Sequence, residues 1–167
     1  MKTLILFSSA NKEGNTAKAV ADVADNQDVE IVDIDTLNIT AYNYQNNYPS
    51  DDFYPLVEKM LKADSLLFAS PVYWHSVTAP MKSLVDRMTE LLDVAELKPK
   101  ARALEAKKGF VVASSASPEL SPHFKGFFDG LFSYFNIELA DMLHAPCRDG
   151  YFVDPNQLAE FRAKLSQ

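Results

Sequence analysis

Leu4-Ile5-Leu6-Phe7 runs straight into Ser8-Ser9-Ala10-Asn11-Lys12-Glu13-Gly14-Asn15-Thr16, after which Ala17, Val20, Ala21 and Val23 or Ala24 recur at helical spacing. Four apolar residues closed by a polar stretch read as a buried strand, and the three-four spacing after Gly14 reads as a helix. The loop therefore lies between the carboxyl end of a strand and the amino end of a helix. Helix N-termini carry unpaired N–H groups and the positive end of the peptide dipoles. The hydroxyls of Ser9 and Thr16, the amides of Asn11 and Asn15 and the flexible Gly14 thus make a cradle suited to an anion, phosphate above all. Residues that merely cap a helix would be of the same types.

Outward from this unit the pattern repeats. Val29 to Ile34 reads as a second strand, followed by a helix with Phe53, Leu56, Val57, Met60 and Leu61 on one face. Ser65 to Ala69 is a third strand. The helix after it carries Met81, Leu84, Val85, Met88, Leu91 and Leu92, with Thr78 as its cap and Pro80 in its first turn. Phe110 to Ala113 gives a fourth strand, the helix of Phe124, Phe127, Phe128, Leu131, Phe132 and Phe135 follows, and Ile137 to Leu143 is a fifth strand. Pro155 opens a last helix through Leu158, Phe161 and Leu165. Alternating strands and helices call for a parallel sheet with right-handed crossovers and helices on both faces, an α/β three-layer sandwich. At 167 residues one domain spanning 1–167 is expected, with a five-stranded sheet of order 2-1-3-4-5. Ligands of such sheets bind beyond the carboxyl ends of the strands, where the winding reverses between strands 1 and 3. Ser8 to Thr16, Ser70 to Ala79 and Ser114 to Ser121 should therefore carry the chemistry.

Composition narrows the function classes. The hydrophobic fraction is 47% and the charged fraction 23%, as in folded soluble domains. A net charge of -7 repels a phosphate backbone, so no nucleic-acid partner is expected. Cys147 is the only cysteine, which excludes an intramolecular disulfide, a cysteine-held cluster and a cysteine-rich zinc site. A reducing, cytoplasmic setting fits. The opening apolar run is too short for a signal peptide, and no stretch approaches the roughly 20 apolar residues of a membrane span. His75, His123 and His144 show no metal-ligand spacing, and no metal is expected.

The first loop has nearly P-loop length, but Asn15 stands where the P-loop lysine would be and Ser9 where its first glycine would be. It also lacks the nucleophilic cysteine of a phosphatase, the clustered aspartates of a phospho-receiver and the G-x-G-x-x-G of a dinucleotide fold. In the second loop, Pro71-Val72-Tyr73-Trp74 sets two adjacent rings on a proline-stiffened turn, with Trp74 the chain's only tryptophan. A planar heteroaromatic ligand gains stacking and apolar burial there, although the same rings can simply cover the end of the sheet. His75 reads either as a proton donor to a reduced substrate or as a polar loop side chain. Cys147 has no nucleophile-base partner and reads as structural. Tyr42 to Pro49 is a long tyrosine-rich loop, read as a lid, a partner surface or a disordered excursion. The stripe of aromatics between Phe124 and Phe135 reads as core, with Gly126 and Gly130 leaving room for a second subunit.

Ser9 with Gly14-Asn15-Thr16, and Ser70-Pro71-Val72-Tyr73-Trp74 running to Pro80-Met81-Lys82 and Asp86-Arg87, resemble the NAD(P)H-dependent FMN reductase and quinone reductase family, which is flavodoxin-like in fold. The resemblance implies that Ser9, Asn11, Gly14, Asn15 and Thr16 bind the FMN phosphate, that Pro71, Val72, Tyr73 and Trp74 lie along the isoalloxazine ring, and that Ser114, Ser115 and Ala116 approach it from the fourth strand. At this last turn the family often has glycines where the chain has Ala113-Ser114-Ser115-Ala116-Ser117-Pro118. It further implies NADH or NADPH as donor, a small acceptor such as a quinone, azo compound or free flavin, and a homodimer. The flavin carries the redox chemistry in such enzymes, so no catalytic side chain is singled out. A single-electron carrier of the same fold and cofactor, or a domain that has lost the cofactor, are the alternatives.

Overall fold

In the computed structural model, which describes residues 1–167, five parallel strands form one sheet of order β2-β1-β3-β4-β5. They are β1 (Thr3–Phe7), β2 (Val29–Asp33), β3 (Ser65–Pro71), β4 (Lys108–Ser115) and β5 (Glu138–Pro146). The helices are α1 (Asn15–Ala24), α2 (Phe53–Lys62), α3 (Ala79–Met88), α4 (Glu90–Asp93), α5 (Lys98–Arg102), α6 (Pro122–Tyr134) and α7 (Pro155–Leu165). The sheet is thus the flavodoxin-like one expected from the alternating pattern.

Strands buried on both faces need continuous apolar runs, and β1 and β3 have every residue buried. Alternate residues then feed two cores. Leu4, Leu6, Leu66, Phe68 and Val111 join α2, α3 and α6 on one face. Ile5, Phe7, Leu67, Phe110 and Val112 join α1 and α7 on the other. Edge strand β2 is only half-buried, which accounts for its mixed sequence Val29-Glu30-Ile31-Val32-Asp33.

Four elements differ most from the sequence reading in extent. β3 continues through Ser70 and Pro71, and β4 through Ser114 and Ser115, because Ser70 pairs with Ala113, Pro71 with Ser114 and Ser115 with Pro146 of β5. A proline is accommodated at the last position of β3, where no further ladder N–H is required. The helix expected to continue through Leu92 stops at Met88, and α4, a short 3-10 turn and α5 are inserted before β4. β5 starts one residue later than expected and runs on to Pro146, which pairs with Ser115, and its register against β4 shifts at a bulge between Gly109 and Phe110.

At that bulge a Cβ built on Gly109 would lie 2.8 Å from two ring carbons of Phe132 and 2.9 Å from Ile137 Cγ2. Phe132 is itself fully buried, so it has no room to retreat. Gly109→Ala is expected to lose about 1–3 kcal/mol through overpacking, read as a lower urea midpoint, with Phe132→Leu restoring part of it. An unchanged midpoint would show that the β4–α6 contact is loose.

Candidate active site at the carboxyl edge of the sheet

β1 delivers Ser8 and Ser9 to the carboxyl edge, and the chain then turns through Asn11, whose carbonyl accepts from Gly14 N–H at 3.2 Å and whose side-chain oxygen accepts from Glu13 N–H at 3.1 Å. A Cβ on Gly14 would press on the Asn11 side chain at 3.1 Å, which would have to give by a few tenths of an ångström. No side chain caps α1, and no group in the chain accepts from the N–H of Asn15, Thr16 or Ala17. The first turn of α1 thus presents a cluster of free donors at the positive end of the helix dipole.

The cluster is framed by buried hydroxyls. Thr16 Oγ1 and Ser114 Oγ share a hydrogen bond at 2.7 Å, tying the start of α1 to the end of β4. Ser8 is bonded to Thr78, the cap of α3, and donates to Asp35 at 2.5 Å. Asp35 also accepts from Ser9 N–H at 3.0 Å and from Lys12 Nζ at 2.7 Å, and Lys12 reaches Asp33 at 2.6 Å as well. Burial alone would raise the Asp35 carboxyl, but hydrogen bonds from Lys12, Ser8 and Ser9 outweigh it and hold it below the ordinary range. Lys12 therefore offsets the two aspartates nearest the cradle. The sequence reading missed this clamp. Asp33 and Asp35 lie at the end of strand 2, and only the parallel pairing of β1 with β2 brings them to Lys12.

The Pro71–Thr78 segment is not a plain loop. Tyr73 and Ser76 exchange backbone hydrogen bonds at 2.8 and 3.0 Å, closing a two-residue hairpin whose central residues are Trp74 at φ 49° and His75 at φ 63°. Both lie in the left-handed region, as in the type I′ turn that Asn-Gly satisfies without strain. Holding Trp and His there costs on the order of 1–3 kcal/mol each. Trp74 is 98% exposed, so its ring does not cover the sheet end; Tyr73 is 46% exposed.

Between this hairpin and the β4–α6 connection lies a cleft of about 690 Å³, lined by Val72, Trp74, His75 and the stretch Ser115 to His123. Ser115, half-buried, bonds His144 Nε2 at 2.8 Å, and burial lowers the His144 pKa. The residues expected to bind a cofactor lie at the carboxyl ends of β1, β3 and β4 and in the segments that follow them. Ser9, Thr16, Pro71 and Ser114 are buried; Asn15, Val72 and Ser115 are half-buried; Asn11, Tyr73, Trp74 and Ala116 are exposed. Cys147, by contrast, only points its thiol at the Ala145 carbonyl.

The Tyr42–Pro49 loop is not a disordered excursion. Tyr42 donates to Asp93 at 2.8 Å, and the Tyr48 ring lies 3.3 Å from the guanidinium of Arg87. No cluster of three or more His, Cys, Asp or Glu side chains has the geometry of a metal site, and no helix is long and apolar enough to cross a membrane.

Known proteins resemble the chain in sequence and in fold. Residues 1–123 match the model of the family described as NADPH-dependent FMN reductase. The chain is 24% identical to an FMN-dependent NADH:quinone oxidoreductase of Metamycoplasma arthritidis, over 99% of this chain and 94% of that one. It is 39% identical to an NADPH:quinone oxidoreductase of Arabidopsis thaliana over a shorter stretch, 44% of this chain and 38% of that one. Among solved structures, the Trp repressor binding protein of Bacillus subtilis superposes with a TM-score of 0.71 at 15% identity, over 99% of this chain and 96% of the other, a likeness of fold. With its family model matched from the first residue through the start of α6, the chain belongs to the NADPH-dependent FMN reductase family.

Proposed function

We propose that residues 1–167 form a single FMN-binding domain that takes a hydride from NADH or NADPH and passes two electrons to a small acceptor such as a quinone, an azo compound or free flavin. One observation carries the reading: the donor-rich start of α1 is tied by the Thr16–Ser114 bond to the strand whose next residue, Ser115, lines the 690 Å³ cleft. A phosphate at one end of a ligand and a flat ring at the other match that adjacency.

The residues fit the cofactor. Free N–H groups of Asn15, Thr16 and Ala17, with Ser9, Asn11 and the close turn at Gly14, would hold the phosphate. Pro71, Val72, Tyr73 and Trp74 would border the ring on one side and Ser114, Ser115 and Ala116 on the other. FMN, once bound, supplies the hydride and electron chemistry. The chain's own groups would position it. The family match favours an enzyme over a single-electron carrier.

A homodimer in the cytoplasm belongs to the same reading. Gly126 and Gly130 have nothing within 4 Å of where a Cβ would stand, and a largely apolar groove of about 450 Å³ runs beside Gly130, lined by Val85, Leu92, Phe127, Leu131 and Phe135.

The purified protein should take up FMN and oxidise NADH or NADPH in the presence of a quinone, an azo dye or free FMN, with the parallel initial-rate lines of a ping-pong cycle. Flavin uptake without turnover by either donor would return the reading to an electron carrier. A protein that takes up no flavin would end it.

A further inference from the structure

The hairpin Tyr73 to Ser76 holds two bulky residues at positive φ, Trp74 at 49° and His75 at 63°. Strain of this kind persists where the surrounding structure enforces it, and such sites cluster where chemistry is done. Nothing in the packing rewards it at Trp74, which is almost wholly in solvent. What the turn does achieve is the placement of the His75 imidazole. Its Nδ1 lies 3.0 Å from Ser121 Oγ, and its ring stands edge-on to that of His123 at 5.7 Å. Ser121 and His123 come from the far wall of the cleft, at the start of α6, so this contact bridges the mouth of the cleft from one wall to the other. The remaining titratable group on that wall is Glu119. With Nδ1 engaged by Ser121, Nε2 is the nitrogen left free.

We infer that His75 is the proton donor to a quinone-type acceptor in this cleft, with Ser121 fixing its ring and Trp74 providing an apolar face over the acceptor. The inference rests on the function proposed above. Two-electron reduction of a quinone to its hydroquinone consumes one hydride and one proton. The hydride, with both electrons, comes from the reduced cofactor and leaves a hydroquinone monoanion. The Nε2–H bond of His75 breaks to give the proton to the remaining phenolate oxygen, and the ring recovers a proton from solvent, with His123 beside it. An acceptor that takes electrons singly and needs no proton, such as ferricyanide, makes no use of His75.

Asn tolerates the left-handed conformation and Gly adopts it freely, so His75→Asn and His75→Gly keep the turn while removing the imidazole. Each variant is read against itself, as the ratio of its turnover with a benzoquinone to its turnover with ferricyanide. That ratio should fall on the order of 10²-fold, the usual weight of a positioned general acid. His75→Gly should also melt higher than the wild type, as expected when a strained functional residue is relieved. Independently of turnover, titrating the wild-type protein with a hydroquinone should shift the imidazole resonances of His75 and quench Trp74 fluorescence. A wild-type ratio in both variants, or a His75 resonance indifferent to hydroquinone, would overturn the assignment while leaving the proposed function standing. A wild-type protein that reduces neither quinone nor ferricyanide would instead overturn the function on which it rests.

Discussion

Arg87→Met should cost about 3–5 kcal/mol, the usual result of removing one partner from a buried charge cluster. For a chain of this size that corresponds to a melting temperature lower by roughly 6–20 °C. Arg87 has a fully buried side chain, and so nearly do its partners: Asp51 is 1% exposed and Glu90 3%. Nη1 meets Asp51 at 2.7 Å and Nε meets Glu90 at 2.7 Å, while the guanidinium lies between the Tyr48 and Phe53 rings at 3.3 and 4.5 Å. Tyr54 donates to Glu90 as well, and only Nη2 lacks a partner. The cation thus fastens the segment from Thr40 to Phe53 onto α3 and α4. Without it two carboxylates stay buried with no counter-charge.

The loss should depend on pH with a definite sign. Burial would raise the Asp51 carboxyl, but hydrogen bonds from the Thr40 N–H, Arg87 and the Phe53 N–H outweigh it and depress the folded-state pKa. A depressed carboxylate contributes stability that is fully present above its unfolded value, about 3.9, and is lost as pH falls through the folded value. In Arg87→Met the same carboxylate is buried without its cation and prefers to be protonated. The gap between wild type and variant should therefore be widest at neutral pH and shrink on acidification below about pH 4. Adding Asp51→Asn and Glu90→Gln to the variant should recover much of the lost stability. A gap that stays constant with pH would mean that Arg87 acts through packing alone.

That cluster also marks where the sequence stopped being informative. The Asp86-Arg87 pair was visible in the family resemblance, but nothing in an exposed-looking helical position tells that its guanidinium is buried. Its partners come from a loop 36 residues before it and from the next helix, and only the folded chain brings them together. The Tyr42–Pro49 loop was ambiguous for the same reason, since the residue that orders it is Arg87. The fold, by contrast, was legible because its signals are local. Apolar runs at Leu4, Ser65 and Phe110, three-four spacing in the helices and the Thr78 cap with Pro80 each reflect neighbours in sequence. The site lies between. Its loops were legible as strand ends, but the hairpin at Trp74 and His75 was not, because Trp-His lacks the Asn-Gly or Asp-Gly signature of such a turn. The Lys12 clamp on Asp33 and Asp35 required knowing which strands pair.

The largest binding effect should come from the start of α1. Asn15 is half-buried, and its side chain makes no hydrogen bond in the chain. Asn15→Asp changes one atom and adds a negative charge where α1 exposes its free N–H groups. For the helix alone that charge is favourable, by about 0.3–1 kcal/mol, so the protein should be no less stable. For a phosphate in the cradle it is repulsive. Stability and cofactor affinity should therefore move in opposite directions, which general damage to the fold would not produce.

The cradle is tested most directly by titrating the flavin-free protein, wild type and Asn15→Asp, with FMN and with riboflavin while following flavin fluorescence. The two ligands differ only in the phosphate. Two or three charge-assisted hydrogen bonds at about 1.5–3 kcal/mol each should make the wild type prefer FMN on the order of 10³-fold. Asn15→Asp should remove most of that preference and leave riboflavin binding unchanged. Equal affinity of the wild type for FMN and riboflavin would contradict the assignment of the Ser8–Thr16 loop as the phosphate site.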